Sequence, residues 1–289
     1  FSSLQKEIPS VRVIEDGAVR TVVEAVFGYG SSKAWVQYRM SKQMHTVDIR
    51  IRIFNSETKK MYKLALPHAS KQICTFSEVA YGEERLKPNG VENVNQRYIR
   101  VQDGENASRY INIYNKGCYA YSVEENKVLL TLMRSPAYTA HPVLDRQILP
   151  TDRHSSFIDQ GERTFDFRFT FGAETNSNAR VAQTYNQEPI VLSFFPRGVR
   201  ESDSMQQMPL CLEGDEIVLS AFKKSEVDPD AWIVRLFNPS TNSASCRLCS
   251  QVLNIDAVFS WKPFEIKTFK ITIGRIKECD LNEQELQGN

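Results

Sequence analysis

The stretch DQGERTFDFRFTF, residues 159–171, decides the fold class of this chain. From residue 165 onward, phenylalanine occupies every second position and a polar residue lies between each pair. Successive side chains of a β-strand point to opposite faces, so this pattern predicts a strand with one buried and one solvated face. Residues 47–55, VDIRIRIFN, alternate in the same way. Both stretches indicate an all-β protein.

Short strands separated by tight turns are predicted for most of the sequence. Turn signals of the type Asp-Gly, Lys-Gly and Glu-Gly recur at 16–17, 103–104, 116–117 and 213–214. Such spacing is typical of a β-sandwich. The apolar run VLLTLM (128–133) predicts a central strand that stacked sheets cover on both faces. The best helical pattern, near 179–187, is short.

Two β-domains are predicted, with a boundary between residues 195 and 210. The segment FPRGVRESDSMQQMP (195–209) combines prolines, a glycine and a polar run, and it follows the predicted strand PIVLSFF (189–195). We therefore expect a large β-domain over residues 1–198 and a smaller β-sandwich over residues 199–289. The polar tail CDLNEQELQGN (279–289) is expected to fray.

Composition limits the classes of partner. The chain has 289 residues, of which 41% are hydrophobic, and a formal net charge of +1. That hydrophobic content is enough for sizeable cores, and the near-neutral charge argues against nucleic acid and favours a neutral ligand. No apolar run is long enough to cross a membrane, and the N-terminus lacks a signal-peptide pattern. The six cysteines are interpreted as reduced thiols, which predicts a cytoplasmic location.

No metal site is predicted within the chain. The four histidines, at positions 45, 68, 141 and 154, are scattered, and none has a spacing that places two ligands on one side of an ion. Cys246 and Cys249 have ligand-like spacing, but no second pair accompanies them. Residues three apart along a strand face opposite sides, so these two cysteines are interpreted as buried thiols.

Several motifs occur in an order that resembles a known family. The strand YINIYN (110–115) is followed by VLLTLMRSP (128–136) and then by DQGE (159–162) before the phenylalanine strand. Further matching pieces are EDGAVRTVVEAV (15–26), VDIRIRIFN (47–55), YKLALPH (62–68), YGEERLKPNGVEN (81–93) and DEIVLSAFKKSEVDPDAWIVRLFNPS (215–240). The arrangement resembles the C-terminal β-domain of glycoside hydrolase family 38, the retaining, metal-dependent α-mannosidases, over most of the chain.

This resemblance implies a galactose-mutarotase-like β-supersandwich followed by a smaller β-sandwich. It also implies that the catalytic zinc and the carboxylate nucleophile belong to an N-terminal catalytic domain of the parent chain. Because the sequence begins with Phe1 rather than Met, we expect a C-terminal piece of a longer α-mannosidase, inactive alone and without a cofactor of its own. We expect it to cover one face of the catalytic domain, close one wall of the pocket for α-mannosides and support oligomer contacts.

The resemblance makes five residues candidates for sugar contact. Arg134 offers planar donors to sugar hydroxyls or to an ion pair at a domain interface, and Tyr138 offers a ring for a sugar face. Asp159, Gln160 and Glu162 offer donors and acceptors for vicinal hydroxyls. No catalytic residue is assigned, because a solvated turn explains the two closely spaced carboxylates better than the nucleophile and acid of a retaining glycosidase. Relatives often carry His where this chain has Glu162.

Two other functions are compatible with the sequence. A carbohydrate-binding module would stack sugar rings on an exposed row of aromatic residues, for which Trp35, Trp232 and Trp261 are the candidates. Their strand-like context predicts burial in the core instead. A stand-alone enzyme on the mutarotase-like fold would need a histidine beside a carboxylate inside the large sheet, and no motif selects one.

Overall fold

The computed structural model describes residues 11–70, 72–86, 90–125, 127–137, 156–172, 177–193, 209–214 and 216–286. In this part of the chain it contains twenty strands and a single helix, so the all-β prediction is confirmed. The described residues form two compact units. The first comprises residues up to 77 and from 85 to 172, and the second comprises residues 78–84 and those from 177 onward.

The first unit is built from two antiparallel sheets. A nine-stranded sheet has the order β1-β2-β3-β4-β13-β10-β9-β6-β7, and a four-stranded sheet has the order β5-β12-β11-β8. The tip of the β6–β7 hairpin groups with the second unit. The strand bounds are β1 (Val11–Asp16), β2 (Arg20–Tyr29), β3 (Ser32–Ser41), β4 (Thr46–Asn55), β5 (Met61–Pro67), β6 (Ile73–Val79), β7 (Gly82–Leu86), β8 (Asn93–Val94), β9 (Tyr98–Asp103), β10 (Tyr110–Asn115), β11 (Ala120–Glu124), β12 (Lys127–Arg134) and β13 (Gly161–Phe171).

The two alternating stretches of the sequence are neighbours in this sheet. Strands β4 and β13 pair in antiparallel register, with Phe165 opposite Ile51 and Phe167 opposite Ile49. Directly opposed residues lie on the same face, so the apolar rows join in one core with the inner face of the four-stranded sheet. The intervening polar residues also pair across the strands, and Arg50 binds Asp166 with nitrogen–oxygen distances of 2.6 and 3.1 Å.

The predicted central strand is internal to the four-stranded sheet but is buried on one face only. In β12, Val128, Leu130 and Met133 are buried, whereas Leu129 and Thr131 are half-buried. A β-bulge between Thr131 and Met133 shifts the buried face by one residue. The expectation of cover on both faces was therefore wrong, because Leu129 and Thr131 between the buried residues stay partly exposed.

The second unit is a smaller sandwich of a three-stranded sheet, β14-β17-β18, and a four-stranded sheet, β15-β16-β19-β20. Its core contains Val234, Leu236, Leu248, Trp261 and Phe269. The element bounds are α1 (Asn178–Asn186), β14 (Cys211–Glu213), β15 (Val218–Lys224), β16 (Trp232–Phe237), β17 (Ala244–Ser250), β18 (Ile255–Trp261), β19 (Ile266–Thr272) and β20 (Arg275–Cys279).

The short helical pattern near 179–187 forms the helix α1. Its N-cap, Ser177, accepts a hydrogen bond from the backbone N–H of Arg180, which satisfies one of the free donors of the first turn. Gln183 donates from Nε2 to the carbonyl of Leu219 at 2.7 Å, and Ala182 is fully buried. The helix therefore packs on the second unit. The predicted domain boundary at residue 198 lies outside the described residues and stays a prediction.

Two expectations, one about residues 189–193 and one about the C-terminal tail, were wrong. Residues 189–193 of the predicted strand PIVLSFF form no strand, and Ile190, Val191 and Leu192 are more than 80% exposed. No described strand pairs with them, so their β-propensity is not realised. The polar tail does not fray over the described residues either, since Cys279 and Glu283 are buried there. No helix in the described part of the chain is long and apolar enough to span a membrane.

Candidate functional site

A tight turn at residues 158–161 leads into β13. Asp159 has a φ of 53° and Gly161 a φ of 86°, so the chain passes twice through the left-handed region within three residues. Asp159 is partly exposed, with its carboxylate 3.7 Å from the guanidinium of Arg163, and Glu162 is exposed. The turn therefore presents its polar side chains to solvent.

The buried side chain of Asn55, at the end of β4, hydrogen-bonds to this turn. Its side-chain amide donates to the carbonyl of Asp159 at 2.8 Å. Its Oδ1 accepts from the hydroxyl of Tyr62 at 2.7 Å and from the backbone N–H of Glu57 at 3.0 Å. Asn55 is 1% exposed and Tyr62 is 3% exposed, and burial raises the pKa of the Tyr62 hydroxyl. Buried hydrogen bonds of this kind fix the geometry of an exposed turn.

Glu57 ties the same turn to the β2–β3 hairpin. Gln160 donates from Nε2 to the backbone carbonyl of Glu57 at 3.1 Å, and the Glu57 carboxylate accepts from the backbone N–H of Ser31 at 2.8 Å. This carboxylate lies against Gly30, where a Cβ atom would approach it to 2.3 Å. A larger residue at this position would have to displace the Glu57 carboxylate and adopt a φ of 55°.

The end of β12 joins the same cluster through backbone hydrogen bonds. The carbonyl of Ser135 accepts from the N–H of Lys59 at 2.6 Å, and the N–H of Ser135 donates to the carbonyl of Lys60 at 2.8 Å. Pro136 accepts from the N–H of Ile158 at 3.1 Å. The Arg-Ser-Pro segment and the Asp-Gln-Gly-Glu turn are therefore adjacent, although Asp159 follows Pro136 by 23 positions in the sequence.

We call this set of segments, residues 55–62, 134–137 and 157–162, the polar rim. It brings together four of the five predicted site residues, while Tyr138 lies outside the described residues. Arg134 is exposed at the strand end opposite Met61, and no described residue fixes its guanidinium. The rim thus offers a guanidinium, two carboxylates and an amide to solvent, which are groups that hydrogen-bond hydroxyls.

The residues that support the rim were not predicted from the sequence. Asn55, Tyr62 and Ser135 are buried polar residues of the rim. Lys60 lies 5.7 Å from the ring of Tyr29, and these two residues line a small depression of about 140 Å³ with Met61 and Tyr62. Each buried residue lies at or beside the end of a predicted strand within a motif that resembles the family. This position is the sequence feature that could have identified them.

The tryptophans form no exposed row. Trp261 is 1% exposed, as predicted. Trp232 is half-buried and stacks on Phe222 with ring centroids 4.9 Å apart. Trp35 is half-buried on the face opposite its core neighbours Ala34 and Val36, so the expectation of core burial was wrong for it. The guanidinium of Arg52 covers its ring at 4.5 Å.

One histidine lies beside a cavity in the first unit. His68 borders a cavity of about 230 Å³ whose other lining residues are all apolar, and its Nδ1 accepts from the backbone N–H of Ser70. The hydroxyl of Ser70 donates to the carboxylate of Asp103 at 3.0 Å. An apolar lining offers sugar hydroxyls no hydrogen-bond partners, so this cavity is poorly suited to bind a sugar. Positions 141 and 154 lie outside the described residues.

A second polar cluster lies on the outer face of the three-stranded sheet. Cys211 of β14 is directly opposite Cys249 of β17, and with Glu213 they place two sulfurs and a carboxylate oxygen within 4.8 Å of one another. Cys246 is buried on the other face, as the strand geometry predicted for residues three apart. Cys249 is only half-buried, so its interpretation as a buried thiol was wrong. Arg247 lies on the same face as Cys249 and binds Glu213 at 3.0 Å.

The comparisons with known proteins agree with this architecture. The model of the glycosyl hydrolases family 38 C-terminal domain matches residues 2–143, and that of the family 38 C-terminal beta sandwich domain matches residues 216–289. Together they cover more than half of the chain. The search of curated proteins gave no match.

Two solved structures share the fold. An alpha-mannosidase from Enterococcus faecalis V583 superimposes with a TM-score of 0.71 at 13% identity, over 92% of this chain and 35% of its own length. A glycosyl hydrolase family 38 protein from Enterococcus faecalis does so with a TM-score of 0.74 at 14% identity, over 92% and 37%. The chain spans little more than a third of these proteins. The chain therefore belongs to glycosyl hydrolase family 38 and carries its C-terminal β-domains.

Proposed function

We propose that this chain is the non-catalytic C-terminal β-region of a retaining α-mannosidase, which hydrolyses terminal α-mannosides. Both family matches are to C-terminal domains, and one similar structure is an alpha-mannosidase of which this chain spans 35%. The remaining length of such a protein leaves room for a separate catalytic domain. In this proposal zinc and the nucleophile belong to that domain, and the chain by itself is inactive.

The polar rim forms one wall of the sugar pocket in this proposal. The observation that carries it is the hydrogen bond from the buried Asn55 amide to the carbonyl of Asp159, which holds the Asp-Gln-Gly-Glu turn in one conformation. Preorganised donors and acceptors bind a polyol without first losing conformational entropy. The adjacent Arg134 adds donors of fixed charge.

An exposed apolar segment is a candidate contact for the catalytic domain. Ile190, Val191 and Leu192 are 89%, 81% and 83% exposed and consecutive. Consecutive exposed aliphatic side chains mark an interaction surface more strongly than scattered ones. Homo-oligomer contacts and a cytoplasmic location with reduced cysteines are also part of the proposal.

A stand-alone carbohydrate-binding module is the second candidate. It would bind glycan on exposed aromatic rings, but Trp261 is buried and Arg52 covers Trp35. Trp232 is covered as well, by the ring of Phe222 and the ammonium group of Lys224, so none of the three tryptophans favours this candidate.

Hydrolysis of an aryl α-mannoside separates these functions. We would assay the 289-residue chain and a longer chain that also carries the N-terminal catalytic domain, both with Zn²⁺ added. The proposal predicts activity in the longer chain only. Activity of the shorter chain would overturn it, and α-mannoside binding by the shorter chain without activity in either would favour the binding module.

A further inference from the structure

We propose that Cys211, Cys249 and Glu213 form a binding site for a thiophilic divalent cation such as Zn²⁺ in the smaller sandwich. The site is independent of the catalytic zinc that the proposed function assigns to another domain. Two thiols and a carboxylate are ligands that zinc takes in proteins, and they leave a fourth position for water.

Strand pairing sets the position of the three ligands. Cys211 and Cys249 are directly opposed across β14 and β17, and Glu213 is two residues along β14, on the same face. Their donor atoms lie within 4.8 Å of one another. Tetrahedral zinc with its usual bond lengths separates such donors by roughly 3.5–3.8 Å. Small side-chain rotations on a fixed backbone close this difference.

The site is open to solvent, so an ion can enter. It lies in a depression of about 680 Å³ that Arg247 and Asp256 also line. Arg247 binds Asp256 through two nitrogens, both at 2.7 Å, and binds Glu213 through a third. This arginine orients the Glu213 carboxylate beside the thiols, which is the role of a residue that supports a metal ligand.

The charge balance favours a divalent ion. Without metal, two neutral thiols, two carboxylates and one guanidinium give the cluster a net charge of about −1. Binding of a divalent cation breaks two S–H bonds, forms two metal–sulfur bonds and releases two protons to solvent. The net charge of the cluster is then unchanged, so binding adds no uncompensated charge.

A disulfide between the two sulfurs is the competing chemistry. Directly opposed residues of an antiparallel pair have Cα separations of about 4.5–5.5 Å, which a disulfide also accepts. A disulfide, however, gives no role to Glu213 or to the arginine that orients it. The third oxygen donor on the same face therefore favours the metal.

Cobalt substitution tests the site directly. We would titrate the reduced 289-residue chain with Co²⁺ and record thiolate-to-cobalt charge-transfer absorption in the near ultraviolet, then displace Co²⁺ with Zn²⁺. Cys249→Ser should lower the affinity by roughly 10- to 100-fold or more, the loss seen when even a supporting residue is removed. Cys74→Ala, which removes a half-buried thiol of the other unit, should leave the titration unchanged.

A second variant keeps the test valid if the cysteine variants fold poorly. Glu213→Gln is exposed and leaves both thiols in place, and it should weaken Co²⁺ binding while keeping the charge-transfer band at saturation. The proposal is overturned if the reduced chain shows no charge-transfer band, or if Cys249→Ser keeps an unchanged one. A Cys211–Cys249 disulfide in protein prepared anaerobically with reductant would also overturn it.

Discussion

The side-chain amide of Asn55 donates a hydrogen bond to the backbone carbonyl of Asp159 at 2.8 Å, across 104 positions of sequence. The same asparagine accepts from Tyr62 and from the N–H of Glu57, so one buried side chain connects two loops and a strand. The exposed turn therefore has a rigid support.

Asn55→Ala should destabilise the first unit by about 1–3 kcal/mol, because the Tyr62 hydroxyl and the Asp159 carbonyl then lose their buried partner. Urea unfolding of the 289-residue chain measures the change. Lys33→Ala, an exposed substitution on the neighbouring strand, should stay within about 0.5 kcal/mol. An Asn55 variant as stable as the Lys33 control would show that the network does not support the turn.

Gly30→Ala should be more damaging than Gly117→Ala. Both glycines have left-handed φ values, of 55° and 82°, but a Cβ at Gly30 meets the Glu57 carboxylate at 2.3 Å and one at Gly117 meets nothing within 4 Å. The difference in unfolding free energy between the two variants isolates the displacement of the Glu57 carboxylate, and we expect about 0.5–1.5 kcal/mol, the worth of its hydrogen bond to Ser31. Adding Glu57→Ala to Gly30→Ala should recover part of the loss. Equal effects of the two glycine variants would argue against this close contact.

Glu283 should make the second unit sensitive to acid. Its carboxylate accepts from the Ser225 hydroxyl at 2.5 Å, forms an ion pair with Lys223 at 2.9 Å and accepts from the N–H of Glu226 at 2.9 Å. These partners lower its pKa to about 2 from an ordinary value of 4.5. The contribution of the Glu283 carboxylate to the free energy of unfolding is therefore fully present above pH 4.5 and is lost as the pH falls towards 2.

The variant Glu283→Gln tests this prediction. It should cost about 1.5–3 kcal/mol at pH 7 and reduce the loss of stability between pH 4.5 and 2. Thermal unfolding as a function of pH measures both effects. Glu216→Gln, at an exposed position of the same unit, serves as control. If both variants lose stability along the same acid profile as the unmodified chain, Glu283 is not the group responsible.

Cys118 should be nearly inert to alkylation in the folded chain. It is 5% exposed, and burial raises its pKa to about 11. At pH 8 roughly 0.1% of it is thiolate, so we expect labelling at least about 100-fold slower than for the half-buried Cys74. A short pulse of iodoacetamide followed by peptide mass spectrometry gives both rates, and urea should equalise them. Labelling of Cys118 as fast as Cys74 in the native chain would contradict its burial.

Alternation of apolar and polar residues predicted the strands well, because side chains alternate between the two faces of a strand regardless of which strand pairs with it. The pairing of residues 47–55 with 161–171, by contrast, depends on neighbours far away in sequence. For the same reason the alternation located β13 but gave no sign that Asn55 supports the turn before it. The pairing of Cys211 with Cys249 across two strands could not be predicted either. Spacing in the sequence pointed to Cys246 and Cys249 instead.

The wrong predictions for residues 189–193 and for the tail rested on local composition, whereas the structure of these segments depends on the residues that they contact. Residues 189–193 have strand propensity but no strand to pair with among the described residues. The tail is polar, yet Glu283 is buried because Ser225 and Lys223 satisfy its carboxylate. The order of the motifs carried the family resemblance, which periodicity alone could not provide. The family models match residues 2–143 and 216–289, and the turn at 159–162 lies outside both matches.

The double variant Arg134→Ala/Glu162→Ala, made in a longer chain that carries the catalytic domain, tests the central claim most directly. Both side chains are exposed, and no described residue binds them, so their removal should leave the melting temperature nearly unchanged. His45→Ala is the matched control, since it is exposed at the opposite end of β4, roughly 30 Å from Asn55. If the polar rim forms a wall of the pocket, kcat/KM for an aryl α-mannoside should fall about tenfold or more in the double variant alone. A kcat/KM equal to that of the unmodified enzyme would contradict the account.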